Sequence, residues 1–190
     1  MWDYSEKVMD HFRNPRNVGK LENPDGTATV GSLACGDALQ FQFRLGPDGR
    51  IAEAKFMTFG CASAIASSSA LTEMVIGKTL EEAKRITNKD IADYLGGLPP
   101  QKMHCSVMGR EAMEAAIKNY ETGENADRNL EDSTLCTCYS VSENEVRRVI
   151  TENQLTTVEE VTNFTKAGGG CGKCRTKIQT ILDELNGAAK

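Results

Sequence analysis

The sequence predicts an α+β fold, with an antiparallel hairpin and helices in the larger N-terminal part and helices in a small C-terminal part. The residues from Ala38 to Leu45 alternate between apolar and polar side chains, which is the period of a half-buried strand. A Gly-Pro-Asp-Gly turn at 46–49 leads into a β-branched and aromatic stretch, Ile51 to Phe59, which completes the hairpin. After Cys61 the patterns become helical.

The helical patterns of the N-terminal part follow one another with recognisable start and stop signals. Ala62 to Ile76 carries apolar residues at helical spacing and stops at Gly77. Thr79 and Glu82 form a capping-box signature for a second helix. A third helix is predicted from Gly109 to Tyr120.

A polar, acidic stretch divides the chain into two predicted domains. Residues 121–132 contain almost no large apolar side chain, which is typical of a linker. We therefore expect a first domain at 1–123, a linker at 124–133 and a second domain at 134–190. Capping signatures at Ser142 and Thr157 and an amphipathic pattern from Cys174 to Leu185 predict an all-helical second domain, which is too small to be stable on its core alone.

Composition and charge exclude several classes of function. The formal net charge of −5 argues against a nucleic-acid surface. No apolar run has the length of a signal peptide or of a membrane span, so we expect a cytoplasmic protein without a membrane partner. In a reducing compartment, the odd number of 7 cysteines is better explained by metal ligation or sulfur chemistry than by disulfides.

Four of these cysteines lie in the second domain as two close pairs. A C-x-C pair and a C-x-x-C pair can converge on one metal centre, and both zinc and a [2Fe–2S] cluster accept four thiolates. Against zinc, the common ribbon pattern has C-x-x-C at both ends. Three glycines at 168–170 let the backbone approach such a site closely. The cysteines are Cys136, Cys138, Cys171 and Cys174.

Basic residues surround the second of these pairs, and two interpretations stay open. They are Lys166, Lys173, Arg175 and Lys177. They either offset the negative charge of a metal–thiolate site or form a solvated helix face.

The first domain offers five candidate metal ligands for about four places. Cys35 and Asp37 are two residues apart and point the same way in an extended segment. Cys61 follows Gly60 at a strand-to-helix junction, and His104 and Cys105 lie at the head of a helix. A carboxylate binds iron–sulfide less firmly than a thiolate, and an imidazole beside a thiolate permits ligand exchange. We therefore expect a site that can release what it binds.

The second domain resembles the bacterioferritin-associated-ferredoxin-like module, through the segments CTC and KAGGGCGKC. That resemblance implies a permanent [2Fe–2S] cluster. It also implies that the four cysteines of the second domain are the cluster ligands.

The first domain resembles the IscU-type iron–sulfur scaffold, and the order of the two domains is similar to that of the NifU family. The segments that carry the resemblance are YSEKVMDHFRNPRNVG, ACGD, GCASAIASSSALTEM and LPPQKMHCSVMG. It implies a small antiparallel sheet flanked by helices. It also implies a transient [2Fe–2S] or [4Fe–4S] cluster bound by Cys35, Asp37, Cys61 and Cys105, with His104 as an alternate ligand and zinc as an alternative occupant.

By the same resemblance, the chain is a scaffold and not an enzyme. A cysteine desulfurase of the NifS or IscS type passes sulfur to it, and the assembled cluster moves to apo-proteins, including nitrogenase-type targets. We expect Cys105 to accept the sulfur first, with Lys102 and His104 favouring its thiolate. Two rival hypotheses are an electron carrier with an inert first domain and a structural zinc protein.

Two further partners follow from the resemblance. The first is a chaperone, which in this family recognises a segment that usually reads LPPVK. This chain has LPPQK at the corresponding residues, 98–102. A homodimer is the family expectation, and a stripe at Trp2, Tyr4, Val8 and Phe12 suits either a dimer seam or packing within the domain. NifU proteins carry a third, C-terminal Nfu-type domain, which has no counterpart in this sequence.

Overall fold

The structure is a computed structural model that describes residues 4–32, 37–124 and 134–187. The chain divides into two compact units. The first contains Met1–Pro99 and Cys105–Arg128, and the second contains Asn129–Lys190 together with Pro100–His104. None of the helices within the described ranges combines the length and hydrophobicity needed to cross a membrane.

A three-stranded antiparallel sheet of order β1-β2-β3 forms the centre of the first unit. Its strands are β1 (Gly26–Ser32), β2 (Asp37–Leu45) and β3 (Ile51–Phe59). The predicted hairpin of β2 and β3 is confirmed, because its alternating apolar residues Leu39, Phe41 and Phe43 are fully buried. Strand β1 was not predicted from the sequence, because GTATVGS contains no large apolar side chain and alternates only briefly, with Ala28 and Val30 buried.

The register of the hairpin determines what lies near the start of α2 (Ala62–Val75). Ala38, near the start of β2, pairs with Phe59 at the end of β3. Asp37 therefore lies at the same edge of the sheet as Gly60 and Cys61, where the chain turns into the helix.

Helices cover the sheet of the first unit. They are α1 (Glu6–Arg13), α2, α3 (Leu80–Lys84), α4 (Asn88–Tyr94) and α5 (Met103–Thr122). The helix predicted to stop at Gly77 does so, and the capping box of Thr79 and Glu82 is present at α3. The third predicted helix begins six residues earlier than its expected start at Gly109, directly after a short 3₁₀ turn at Pro100–Lys102.

Two residues of the N-terminal stripe, Tyr4 and Val8, pack within their own domain. Val8 is fully buried and joins Ala66, Ala70 and Leu95 in a small apolar cluster between α1, α2 and the end of α4. Tyr4 packs against this cluster, while Phe12 is 38% exposed. Trp2 lies outside the described residues. Homodimer formation stays a prediction.

The second unit is mainly helical, with α6 (Glu143–Asn153), α7 (Val158–Thr165) and α8 (Arg175–Gly187). The predicted helix starts at Ser142 and Thr157 are confirmed, because each side chain accepts a hydrogen bond from the third helical residue. The expected all-helical domain needs one correction. A short ribbon of β4 (Thr134–Cys136) and β5 (Val141–Ser142) precedes the helices, since the C-x-C segment closes a tight turn between two extended stretches.

The helices of the second unit enclose a small aliphatic core. All three helices contribute buried aliphatic side chains to this core, which are those of Val146, Val149, Ile150, Val161, Ile178, Ile181 and Leu182. A core of this size leaves much of the unit's stability to other contacts.

Candidate metal centres

The ribbon of the second unit places its two cysteines in different environments. Cys136 is the last residue of β4, pairs with Val141 and is 3% exposed. Cys138 lies in the turn that follows and is exposed. The turn closes at Ser140, which adopts a left-handed conformation with φ of 53°.

The loop between α7 and α8 supplies the other two cysteines of this unit. Gly168 and Gly172 have φ of 87° and 75°, conformations that favour glycine, and they fold the loop back towards the ribbon. Cys171 is exposed within the loop, whereas Cys174 is buried directly before α8.

The four thiols form two hydrogen-bonded pairs. Cys138 pairs with Cys171, and Cys136 pairs with Cys174. Gly170 leaves room for the first pair, because a Cβ added there would lie 3.1 Å from the Sγ of Cys138. The exposed cysteines thus form one pair and the buried cysteines the other.

Backbone N–H groups point at these sulfurs. Hydrogen bonds from the N–H of Lys173 and from the thiol of Cys138 lower the pKa of Cys171. Burial raises the pKa of Cys174, to whose Sγ the N–H of Gly168 donates. N–H to sulfur bonds stabilise cluster ligands, and glycine supplies them without side-chain crowding. The residues present therefore fit a [2Fe–2S] cluster.

In the first unit the structure brings Cys61 and Cys105 together. Cys61 is the N-cap of α2 and makes no side-chain capping bond there, and Cys105 is buried in the first turn of α5. Their Sγ atoms are 3.7 Å apart, although 44 residues separate them in sequence. No disulfide joins the cysteines of the described residues.

Asp37 lies against the backbone that leads into Cys61. It is 8% exposed, and its Oδ1 lies 2.7 Å from the point that a Cβ on Gly60 would occupy. The absent side chain of Gly60 lets the carboxylate approach this closely. Cys35, the remaining predicted ligand, lies outside the described residues.

His104 and Lys102 precede Cys105 closely along the chain. Lys102 ends the 3₁₀ turn and His104 belongs to the first turn of α5. Both side chains are partly buried. Within the ranges that the structure describes, no group of three or more His, Cys, Asp or Glu side chains is placed to hold a metal ion.

Gly60 was not predicted from the sequence as a site residue, whereas Gly170 belongs to the glycine run at 168–170 that was expected to let the backbone approach the second site closely. Each directly precedes a cysteine, and an added Cβ at each would meet a candidate ligand within 3.1 Å. The repeated Gly-Cys dipeptide is the signal that predicts them. Two other residues near this region, Ser63 and Ser67, have fully buried hydroxyls with no hydrogen-bond partner within the described part of the chain.

The chain is a two-domain, cysteine-rich protein. Its larger unit brings cysteines and an aspartate together, and its smaller unit carries four thiols. Residues 3–127 match the family of NifU-like N-terminal domains, and residues 134–184 match the BFD-like [2Fe-2S] binding domains. The chain therefore belongs to the NifU family.

Comparison with individual proteins agrees with this assignment. The nitrogen fixation protein NifU of Trichormus azollae is 54% identical over 194 residues, which cover 97% of this chain and 65% of that protein. The chain thus spans 65% of the length of this relative. The iron–sulfur cluster assembly scaffold protein IscU of Aquifex aeolicus is 49% identical over 143 residues, covering 75% of this chain and 90% of that protein.

A crystal structure supports the predicted fold. The N-terminal part of a nitrogen-fixing NifU-like protein from Brucella abortus matches with a TM-score of 0.52 and 21% identity. The match covers 63% of this chain and 95% of that structure. The α+β class predicted from the sequence is confirmed.

Proposed function

We propose that this chain is an iron–sulfur cluster assembly scaffold and not a conventional enzyme. A domain at 1–123 builds a transient cluster as cargo, a linker at 124–133 follows, and a domain at 134–190 keeps a permanent [2Fe–2S] cluster. Relatives named as scaffold proteins for iron–sulfur cluster assembly support the first role. The match to BFD-like [2Fe-2S] binding domains supports the second.

The proximity of Cys61 and Cys105 is the observation that carries the scaffold proposal. Sulfurs 3.7 Å apart can ligate one cluster without a rearrangement of the two helices. Asp37 beside Gly60 adds a carboxylate to this ligand set. A carboxylate holds iron–sulfide less firmly than a thiolate does, so the cluster is expected to be labile. Cys35 completes the proposed set, and His104 is the alternate ligand.

Cys105 is the proposed first acceptor of sulfur. The thiolate of Cys105 attacks the outer sulfur of a cysteine persulfide on the desulfurase. The sulfur–sulfur bond of that persulfide breaks, the desulfurase cysteine leaves as a thiolate, and Cys105 becomes the persulfide. Two electrons and one proton then convert this persulfide into a thiol and a hydrosulfide ion. Lys102 and His104 are proposed to favour the thiolate of Cys105.

The permanent cluster is assigned to Cys136, Cys138, Cys171 and Cys174. When bound, a [2Fe–2S] cluster supplies one-electron redox chemistry. Its proposed task is to deliver electrons for persulfide reduction. Four thiolates can hold either a [2Fe–2S] cluster or a zinc ion, and the match to BFD-like [2Fe-2S] binding domains favours the cluster.

The proposed partners follow from this cycle. They are a cysteine desulfurase of the NifS or IscS type and apo iron–sulfur proteins, among them nitrogenase-type acceptors. A chaperone at Leu98–Lys102 and a second copy of the chain are further proposed partners.

Cysteine substitution tests this function. The full chain is incubated without oxygen with a desulfurase, cysteine and ferrous iron, and the iron gained per chain is measured. Cys61→Ser and Cys105→Ser are expected to keep the starting iron and lose most of the gain. Cys138→Ser is the matched control, expected to lose starting iron and keep the gain.

Two outcomes would overturn the proposal. If Cys61→Ser and Cys105→Ser gain iron like the unaltered chain, the electron-carrier hypothesis is favoured. If the unaltered chain stays colourless and holds only zinc, it is a zinc protein.

A further inference from the structure

The segment from Lys166 to Lys177 is the most basic stretch of an acidic chain. It contains four basic residues and no acidic one, whereas the whole chain has a formal net charge of −5. The charge of this segment is therefore opposite in sign to that of the whole chain.

This basic segment lies beside the exposed thiol pair of the second unit. Cys138 and Cys171 are exposed, whereas Cys136 and Cys174 are 3% and 9% exposed. The cluster proposed for these four residues therefore has one side near solvent. Gly169 and Gly170 next to the exposed pair are also exposed.

Two of the four basic residues carry charge that no carboxylate of the described residues offsets. Lys177 pairs with Glu143 at 2.8 Å. Lys173 and Arg175 are exposed and make no ion pair within the described ranges. The Cγ of Arg175 lies 3.2 Å from the ideal Cβ position of Gly168, and its guanidinium donates to the carbonyl of that residue at 3.5 Å.

The exposed thiols, the glycines and the two unpaired cations form one continuous surface, which we call the cysteine edge. Its members are Cys138, Gly169, Gly170, Cys171, Lys173 and Arg175. We infer that the cysteine edge is the docking site of an acidic one-electron carrier protein. This inference rests on the proposed permanent cluster.

Charge and exposure together select this partner. A carrier whose redox centre is ringed by carboxylates is attracted by Lys173 and Arg175, and steering by such charges speeds association. The thiols of Cys138 and Cys171 are exposed, so a docked carrier comes close to the cluster on this side, and electron transfer is fastest at short distance. The reduced carrier gives up one electron and is oxidised, the cluster is reduced by one electron, and no bond or proton changes.

Binding of oxidised flavodoxin, an acidic flavin carrier, to the full chain tests the inference without electron transfer. The dissociation constant is measured by calorimetry for the unaltered chain and for Lys173→Gln/Arg175→Gln. We expect it to rise about tenfold at low ionic strength. The difference should shrink in about 0.5 M salt, where exposed charges are screened. Arg85→Gln/Lys89→Gln, which removes two exposed cations from the first unit, is the matched control and should not change the constant.

Equal affinity of both double variants, or no measurable binding by the unaltered chain, would overturn the inference. Lys173→Glu provides a second variant that retains the hydrogen bond of Arg175 to the Gly168 carbonyl, and it should weaken binding to a similar extent, because either variant lowers the charge of the cysteine edge by two. The absorption spectrum of each variant confirms that its cluster content is unchanged.

Reduction kinetics separate this inference from the proposed cluster. Photoreduced deazaflavin, a small neutral donor, should reduce all variants at one rate, while reduced flavodoxin should reduce Lys173→Gln/Arg175→Gln several-fold more slowly. If deazaflavin reduces neither the unaltered chain nor any variant, the proposed redox cluster is wrong. The binding assay still tests whether the carrier docks at the cysteine edge. If flavodoxin reduces all variants equally fast, the docking inference is wrong.

Discussion

A glycine directly precedes a cysteine in each centre, at Gly60-Cys61 and at Gly170-Cys171. In both places a proposed ligand from another part of the chain occupies the space that a side chain would need. Asp37 does so at Gly60, and Cys138 does so at Gly170. At the residue scale, the two sites therefore depend on absent side chains as much as on the ligands themselves.

Gly60→Ala is expected to damage the first site. The new Cβ would lie 2.7 Å from the Oδ1 of Asp37 and 2.9 Å from the Cβ of Ala64, so Asp37 must move. Overpacking of this kind costs about 1 to 3 kcal/mol. Urea denaturation should show this loss, and iron analysis should show less cluster gained with desulfurase.

Gly109→Ala is the matched control for this prediction. An added Cβ there would make ordinary contacts at 3.8 Å with Leu71 and Ile91. Because alanine favours a helix interior over glycine, this variant is expected to gain up to about 1 kcal/mol. Equal stability and equal cluster gain in Gly60→Ala and the unaltered chain would contradict the account.

At the scale of elements, a buried histidine of α1 contacts two polar residues of α2. The Nδ1 of His11 lies 2.9 Å from the hydroxyl of Ser69, and its Nε2 lies 3.6 Å from the carboxylate of Glu73. The ring of Tyr94 from α4 packs edge-on against the imidazole. Burial lowers the pKa of His11, so the folded chain favours its neutral form.

The unfolding free energy is expected to fall as the pH drops below the ordinary histidine pKa of 6.5. Because the folded pKa is lowered, the unfolded chain binds more protons in this range. The stabilisation is therefore complete above the ordinary pKa and is lost as the pH falls through the folded pKa. The charged groups that influence the ring are Lys7, Asp10, Arg16 and Glu73.

Urea denaturation at about pH 7.5 and about pH 5.5 measures this effect. His11→Gln should remove most of the pH dependence, whereas His104→Gln, which changes the only other histidine, should keep it. A pH dependence that survives His11→Gln would show that another group is responsible.

The sequence predicted the elements whose patterns are local. The alternation in β2 and the capping boxes at Thr79 and Thr157 depend on neighbouring residues, and all three predictions are confirmed. Strand β1 was missed because its alternation is short, with only Ala28 and Val30 as apolar members, and it contains no large apolar side chain. The early start of α5 was missed because Gly109 weakens the helical pattern, although it allows close packing against Leu71 and Ile91.

The candidate ligands could be predicted from the sequence, but which cysteine lies next to which could not. The contact of Cys61 with Cys105 depends on the packing of α2 against α5, and such contacts between distant residues leave no local pattern. The division of the second unit into an exposed and a buried thiol pair likewise depends on how the loop folds back onto the ribbon.

At the scale of the whole molecule, the chain joins two thiol centres that differ in ligand chemistry. The first combines cysteines with a carboxylate and is proposed to release its cluster as cargo. The second has four cysteines with backbone N–H donors at two of them, and it is proposed to keep its cluster. The central claim is therefore a difference in lability between two clusters on one chain.

Iron and acid-labile sulfide per chain, with an absorption spectrum, test this claim most directly. They are measured without oxygen at the start, after incubation with desulfurase, cysteine and ferrous iron, and after brief chelator treatment. The account predicts about two iron and two sulfide at the start, a gain on incubation, and loss of only the gained part to chelator. Iron that stays at its starting value throughout, or a chelator that removes both parts at one rate, would contradict it.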